Sequence, residues 1–256
     1  MAVIDLHAHV LHGLDDGPAA LEQSLAMLRM AAQAGTKEIV ATPHFSRAYP
    51  LKPALAQRRW EELQHLAGDL IRIHRGCEVE LTPGAVRAVL TAPRQYTIRG
   101  LRYLLAAVPD DVHPDEAEPL LEELEGAGLR VILAHPEAHP VLAGRRRKLE
   151  RWVERGLLLQ VNAGSLLRFY GRRAEETAMR LLKFGMVHFI ASDAHDLEYR
   201  PPRLDVIRLR LMAFFPPEFT EQVVELHPRA VVEGQELPPG PLRAPYLKRS
   251  VFQFWR

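Results

Sequence analysis

Short apolar segments alternate along the chain with longer segments in which apolar residues recur every three or four positions. The short segments predict β-strands, and the longer ones predict amphipathic helices between them. The first such helix carries Leu21, Leu25 and Leu28 on one face and is expected to stop near Gly35. The predicted strands cover residues 3–6, 38–42, 71–77, 103–108, 131–134, 157–161 and 187–191.

The repeated strand and helix unit predicts an α/β fold with a single domain, a distorted seven-stranded (β/α)7 TIM-like barrel over residues 1–237. An open doubly wound sheet is the alternative. The glycine-rich phosphate loop usual after the first strand of such a sheet is absent, because His7-Ala8-His9 stands there. We expect residues 238–256 to be a separate tail, since they are rich in proline and then basic and aromatic.

Composition places the chain among ordinary globular proteins. Hydrophobic residues make up 47% and charged residues 25%, which excludes a disordered chain. Lysine and arginine number 33 against 32 acidic residues, so no overall field favours nucleic acid or a membrane surface. The single cysteine, Cys77, excludes an internal disulfide. Without a signal-peptide start or an apolar run of about 18 residues, we expect a cytoplasmic protein with no membrane insertion.

Residues that can bind metal ions stand at the ends of most predicted strands. Because the carboxyl ends of parallel barrel strands converge on one face, these side chains are expected to meet there. They are His7, His9, Asp15, Asp16, His44, Glu78, Glu80, His135, Glu137, Asn162, Asp193 and His195. The other histidines do not share this placement, and we expect them on the surface or in loops: His12, His65, His74, His113, His139, His188 and His227.

The ligand types indicate the chemistry of this face. Imidazole and carboxylate groups without thiolates suit divalent Mn, Fe or Zn. The number of anionic side chains is too large for one ion, so we expect a cluster of two or three. Such clusters neutralise a phosphate group and activate a water molecule for in-line attack. The sequence therefore predicts a hydrolase that acts on phosphate esters.

Six motifs together resemble the PHP superfamily (polymerase and histidinol phosphatase). They are DLHAH at 5–9, LDDGP at 14–18, ATPH at 41–44, GCE at 76–78, LAHPE at 133–137 and ASDAH at 191–195. More narrowly, the chain resembles the bacterial tyrosine-protein phosphatases encoded with capsule and exopolysaccharide genes, from residue 3 to about residue 232. This resemblance implies a distorted seven-stranded barrel, a trinuclear metal centre and hydrolysis of phosphotyrosine.

The resemblance also implies roles for individual residues. Glu78 would bridge two ions, Arg200 would bind the phosphate as the catalytic cation, and Asp15 is the second choice at the position of Asp16. The implied metal ligands are His7, His9, Asp16, His44, Glu78, His135, Asp193 and His195.

Two positions depart from the family pattern. Ala107 stands where the family has a metal-binding glutamate, and Ala138 stands where it has a phosphate-binding arginine. The missing carboxylate would remove the weakest ion or let Asp110 or Asp111 reach in from the next loop. The missing arginine would remove a bidentate phosphate contact.

The leading hypothesis is a metal-dependent phosphomonoesterase. By resemblance, its substrate is phosphotyrosine in a protein, typically the tail of a bacterial tyrosine kinase that controls polysaccharide export. A small-molecule phosphatase and a nuclease on the same barrel are alternatives, although the near-zero net charge argues against nucleic acid. A degenerate, non-catalytic binding module is the remaining alternative. Self-association is compatible with the sequence, which nominates no interface.

Overall fold

The structure is a computed structural model that describes residues 3–242. Its strands are β1 Val3–Ala8, β2 Thr36–Ala41, β3 His44–Phe45, β4 Arg72–Arg75, β5 Glu78–Glu80, β6 Tyr103–Ala107, β7 Arg130–Ala134, β8 Leu158–Asn162 and β9 Phe189–Ala191. Its helices are α1 Leu21–Gln33, α2 Pro53–Ala67, α3 Pro83–Thr91, α4 Pro114–Gly126, α5 Arg146–Glu154, α6 Ala163–Leu166, α7 Gly171–Lys183, α8 Leu204–Phe214, α9 Pro217–Glu221 and α10 His227–Glu233. A π-helical segment, Gln222–Leu226, joins α9 to α10. Short 3-10 turns lie at Pro93–Gln95, Ile98–Gly100 and Leu142–Gly144.

All strand pairs are parallel and lie in two sheets, ordered β1-β2-β4 and β3-β5-β6-β7-β8-β9. The sheets meet where β1 runs beside β9. There His9 N donates to Ala194 O and Asp193 N donates to His7 O, both at 2.8 Å. At the other junction Glu78 N donates to Pro43 O at 3.1 Å. The strands therefore close into a distorted barrel with seven positions, which confirms the predicted fold class.

Two of the predicted strands continue after a break as further short strands that the periodicity does not predict. The second stops at Ala41 and resumes as β3 at His44, and the third stops at Arg75 and resumes at Glu78. The break lies at Gly76, where an added Cβ would approach Val40 Cγ1 to 2.8 Å. Glycine permits this close crossing of the two strands. Beyond the break β3 pairs with β5, which places His44 opposite Glu78.

The inside of the barrel is apolar and closed at the amino ends of the strands. Leu6, Leu105 and Phe189 belong to an interior cluster that Val231 of α10 and Leu237 also join. Because helices cover the outside, β1, β6, β8 and β9 are buried on both faces, which explains the nearly continuous apolar runs in the sequence. The carboxyl ends of the strands form the open end.

The helices surround the barrel largely where the periodicity predicts them. Proline opens α2, α3 and α4, where its fixed φ suits the first helical turn. Within residues 3–242, no helix is both long and apolar enough to cross a bilayer. The expectation that seven histidines lie on the surface or in loops is wrong for His74, buried in β4, and His227, buried in α10. His12, His139 and His188 lie in loops but are also buried.

The predicted boundary at residue 237 stays a prediction. Leu237 still belongs to the interior cluster, and Leu242 N donates to Gly185 O at 2.7 Å on the barrel. The basic and aromatic part of the predicted tail, with Lys248, Arg249 and Trp255, lies outside the described residues.

Candidate metal centre

The structure brings all eight predicted metal ligands together at the open end of the barrel. They form three overlapping groups whose ligand atoms lie within 4.8 Å of one another. The groups are His9 with Asp16, His44 and His195; His7 with Glu78 and His135; and His7 with His9 and Asp193. Residues separated by up to 188 positions in the sequence (195 − 7) therefore share one site.

The tautomers of His7 and His9 follow from their hydrogen bonds. His7 Nδ1–H donates to Gln160 Oε1 at 2.9 Å, because Gln160 Nε2 donates to Asn162 Oδ1. His9 Nδ1–H donates to Asp15 Oδ2 at 2.8 Å. In the neutral rings both Nε2 atoms therefore carry lone pairs, and these atoms lie 3.1 Å apart.

This arrangement fits a divalent cation. Two lone pairs that face each other at 3.1 Å repel unless a positive charge lies near both. Donor atoms bound to one ion at about 2.0–2.1 Å are separated by about 3.0–3.4 Å. His7 Nε2 lies 3.3 Å from Asp193 Oδ1 and 3.4 Å from Glu78 Oε2, which matches that spacing. Glu78 Oε2 is buried, and within residues 3–242 no donor meets it with good hydrogen-bond geometry, although His44 Nδ1 lies 2.8 Å away.

Glu78 is the central carboxylate of the cluster. Its Oε2 lies 2.8 Å from His44 Nδ1 and 3.3 Å from His9 Nε2, and its Oε1 lies 2.7 Å from His135 Nε2. Burial acts to raise the pKa of Glu78, but the surrounding histidines hold it well below its usual range. A carboxylate that stays ionised inside a ring of imidazoles can bind two cations at once.

The carboxylates of the site raise the pKa of two of the histidines. Burial lowers the pKa of His44, but its bonds to Asp16 and Glu78 outweigh burial and raise it to about 10. The same balance, with Glu78 as the main partner, raises the pKa of His135 to about 9. The pKa of Asp16 is lowered against burial by His195 and His44. Protons on these histidines would therefore compete with any cation bound at the cluster.

Two of the candidate ligands have a strained backbone. His135 has φ of 36° and Asp193 has φ of 52°, in the left-handed region that side chains other than glycine rarely adopt. Hydrogen bonds from each residue's own N–H hold these conformations, to Gln160 O for His135 and to His7 O for Asp193. Backbone strain of this kind is common at functional sites, where the surrounding structure holds a residue in a conformation that it rarely adopts.

Arg200 lies at the edge of the cluster. Its Nη2 donates to Asp16 Oδ2 at 3.0 Å, and its Nη1 lies 3.8 Å from Asp193 Oδ2. The Tyr170 side chain hydrogen-bonds Arg200, and burial raises the pKa of that phenol above its usual value. An added Cβ at Gly164 would approach Tyr170 Cε2 to 2.9 Å, so glycine makes room for the ring.

A cavity of about 620 Å³ opens over the cluster. Arg200 and Tyr170 line one part of it, together with His44, Glu78, His135 and Asp193. Ala107 and Ala138 also line the cavity and contribute only methyl groups at the two positions that depart from the family pattern. Asp110 and Asp111 lie on its lip, exposed on a turn closed by the bond from Val112 N to Pro109 O.

Sequence reasoning missed the side chains that orient the ligands. Asp15 was expected only as the second choice for a metal ligand at the position of Asp16. It accepts from His9 Nδ1 and from the backbone of His44 and Gly17, so it holds the ligands and leaves Asp16 to face them. Gln160 is another, although a polar residue in the apolar strand 157–161 was an available signal. Tyr170 precedes a helix and carries no such signal in the sequence.

Two tyrosine-protein phosphatases resemble the chain over most of its length. Tyrosine-protein phosphatase YwqE of Bacillus subtilis is 29% identical, over 99% of this chain and 100% of that protein. Tyrosine-protein phosphatase CpsB of Streptococcus pneumoniae is 28% identical, over 78% of this chain and 86% of that protein.

The fold of the chain also resembles solved structures of such phosphatases. Crystal structures described as YwqE from Bacillus subtilis and CpsB from Streptococcus pneumoniae, unique metal-dependent tyrosine phosphatases, include a match with a TM-score of 0.85 and 27% identity. The match covers 94% of this chain and 99% of the solved one. The lactonase Lmo2620 of Listeria monocytogenes, with a TM-score of 0.59, 12% identity and coverage of 92% and 95%, shares the fold alone.

The family model described as "Capsular polysaccharide synthesis, CpsB/CapC" matches residues 3–233. That range includes every strand of the barrel and all eight side chains of the cluster. The chain therefore belongs to the CpsB/CapC family of capsular polysaccharide synthesis.

Proposed function

We propose that this chain is a metal-dependent phosphomonoesterase that hydrolyses phosphotyrosine in proteins during capsular polysaccharide synthesis. Its family and its relatives named tyrosine-protein phosphatases support the reaction. The single observation that carries the proposal is the pair of lone-pair nitrogens of His7 and His9, 3.1 Å apart, beside the carboxylates of Glu78 and Asp193 that line an open cavity.

We assign the eight clustered side chains as ligands of two or three divalent ions, Mn, Fe or Zn. When bound, such ions neutralise the charge on a phosphate group and activate the attacking water. Glu78 is the bridging ligand in this assignment, since its two oxygens face histidines on both sides. His7 and Asp193 complete the ligand set beside it.

Neighbouring residues keep the ligands in place. Asp15 fixes the His9 ring, and Gln160 fixes the His7 ring. Asn162 links Gln160 to Asp193, because it accepts from one and donates to the other, at 2.8 and 2.7 Å. Such supporting bonds determine which nitrogen faces the ion and how firmly the ring is held.

Arg200 is the proposed catalytic residue. Its guanidinium lies at the cavity wall beside Asp16 and Asp193, where it can bind two oxygens of the phosphate in a planar fork. Tyr170 hydrogen-bonds this guanidinium and limits its rotation. A tyrosine phenolate leaves readily because the phenol pKa is about 10, so the site does not require a strong general acid.

We further propose that the substrate is the phosphorylated tail of a bacterial tyrosine kinase. A flexible segment can lower one phosphotyrosine side chain into a cavity of about 620 Å³. The acidic lip, with Glu80, Asp110 and Asp111, disfavours a nucleic acid strand lying across the opening.

The test is hydrolysis by the purified chain after treatment with a chelator and reloading with Mn²⁺, Fe²⁺ or Zn²⁺. Phosphotyrosine peptides should lose phosphate, and matched phosphoserine peptides and single-stranded DNA should react at least 100-fold more slowly. If none of the metals supports hydrolysis, the proposal of a phosphomonoesterase is rejected and the non-catalytic binding module is favoured. Preference for DNA would favour a nuclease.

A further inference from the structure

Glu80 lies on the strand next to Ala107. In the parallel pairing of β5 with β6, Glu78 is opposite Leu105 and Glu80 is opposite Ala107. Side chains alternate along a strand, so Glu80 points to the same side as Glu78, towards the cavity. Both Glu80 and Ala107 line that cavity. A carboxylate therefore stands one strand away from the small side chain at position 107.

The nearest group of candidate ligands has room for another donor. His7, Glu78 and His135 supply three ligand atoms, whereas the group around His9 supplies four. Divalent ions such as Mn²⁺ and Zn²⁺ take at least four ligands. Glu78 and His135 line the cavity together with Ala107, which offers only a methyl group there.

The Glu80 side chain has an oxygen to spare. Its Oε2 accepts from the backbone N–H of Arg47 at 3.1 Å, while its Oε1 has no hydrogen bond or ion pair within residues 3–242. The side chain is half-buried and flexible, and it stands two residues from Glu78 on the same strand. Rotation about its side-chain bonds can turn this carboxylate within the cavity that it shares with His135.

The two aspartates on the lip are less well placed. Asp110 and Asp111 are exposed on a turn outside the strands of the barrel. Glu80 belongs to β5, which is hydrogen-bonded to β3 on one side and to β6 on the other. A ligand on a rigid strand is held in place before the ion binds.

We propose that Glu80 is a ligand of the metal centre and supplies the carboxylate that position 107 lacks. This assignment rests on the proposed function. It makes Glu80 the ligand of the ion on the His135 side of the cluster.

The experiment counts metal ions on the full-length chain. Wild type, Glu80→Gln, Asp110→Asn and Asp111→Asn are loaded with Mn²⁺, passed through gel filtration and analysed for Mn per chain, and Mn²⁺ affinity is measured by titration. Glutamine is isosteric and can still accept from Arg47 N, so thermal unfolding of the chelator-treated proteins should be unchanged. Glu80→Gln should retain one ion fewer, or bind its weakest ion 10- to 100-fold less tightly. The two aspartate variants should stay within twofold of wild type.

A second variant restores the carboxylate from the other strand. Ala107→Glu, added to Glu80→Gln, should regain the wild-type number of ions. The assignment is overturned if Glu80→Gln binds Mn²⁺ like wild type, if Asp110→Asn or Asp111→Asn alone loses the ion, or if the double variant regains nothing. Any of these three outcomes rejects only the assignment of Glu80, and the proposed function is retained if wild type binds Mn²⁺ and hydrolyses phosphotyrosine. A wild type that retains no Mn²⁺ rejects both.

Discussion

Acidification should destabilise the fold through His188, a fully buried histidine below the metal cluster. Its Nδ1 accepts from Leu159 N at 3.1 Å, and its Nε2–H donates to Gly240 O at 3.2 Å. Only the neutral ring satisfies both bonds, because a proton on Nδ1 would face the N–H of Leu159. Burial is the main cause that lowers the pKa of His188 from 6.5 to about 4, and the neighbouring His227 and Arg130 add to it.

The sign and size of the effect follow from this shift. In the unfolded chain His188 takes up a proton near pH 6.5, whereas in the folded chain it stays neutral down to about pH 4. The stabilisation is therefore complete above pH 6.5 and is lost as the pH falls towards 4. Proton linkage gives a loss of about 2 kcal/mol between pH 7 and pH 5, out of the roughly 5–15 kcal/mol typical of a native protein.

The assay is urea denaturation at fixed Mn²⁺ concentration, at intervals from pH 7.5 to 5, for wild type and His188→Asn. Asparagine can accept from Leu159 N but does not titrate. Metal binding and the remaining histidines, including His227, contribute to both profiles and cancel in the difference. The wild-type free energy of unfolding should fall about 2 kcal/mol further than that of the variant. Parallel profiles would refute the reasoning.

Three further changes test the surroundings of the site. Asp15→Ala removes the acceptor for His9 Nδ1–H and for two backbone N–H groups, so Mn²⁺ affinity in a titration should fall about 10- to 100-fold. Arg200→Lys keeps the charge but loses the planar fork, so kcat/KM for a phosphotyrosine peptide should fall about 100-fold at unchanged metal content. Tyr103→Phe removes a hydroxyl that accepts from Leu237 N at the closed end of the barrel. Its free energy of unfolding, measured by denaturation, should fall by about 1–3 kcal/mol with hydrolysis unchanged.

Each of these changes has a result that would contradict it. Unaltered Mn²⁺ affinity in Asp15→Ala would mean that His9 needs no support from the carboxylate. A loss of metal together with activity in Arg200→Lys would make that residue a structural partner of Asp16. Lower hydrolysis in Tyr103→Phe, at full folding, would mean that the two ends of the barrel are coupled.

The barrel could be predicted because its strands are buried on both sides. Segments such as 131–134 and 157–161 read as apolar runs for that reason, and they appear as β7 and β8 with nearly the predicted bounds. The break at Gly76 could not be predicted, since it depends on the approach of Val40 from a neighbouring strand. Periodicity describes one segment at a time and contains no information on such crossings.

The candidate ligands could be placed because each follows a strand end, and parallel strands bring those ends together. The burial and the contacts of an individual histidine could not be predicted in this way. His188 and His139 look like loop residues in the sequence, yet both are buried with backbone partners that lie 29 or more positions away. Glu80 is visible in the sequence two residues after Glu78. That it lies opposite Ala107 is known only once the pairing of β5 with β6 is known.

The junction of β1 with β9 has a consequence for how the protein matures. Ser192 N donates to Asp5 Oδ1 across 187 positions, and the candidate ligands on the two strands face each other there. During synthesis His7 and His9 emerge early, but Asp193 and His195, which belong to the same ligand groups, emerge only after β9. An ion held across this junction would close a loop of nearly the whole barrel, which a chain-entropy model values at about 5 kcal/mol. The candidate site is therefore complete only after β9 has paired with β1.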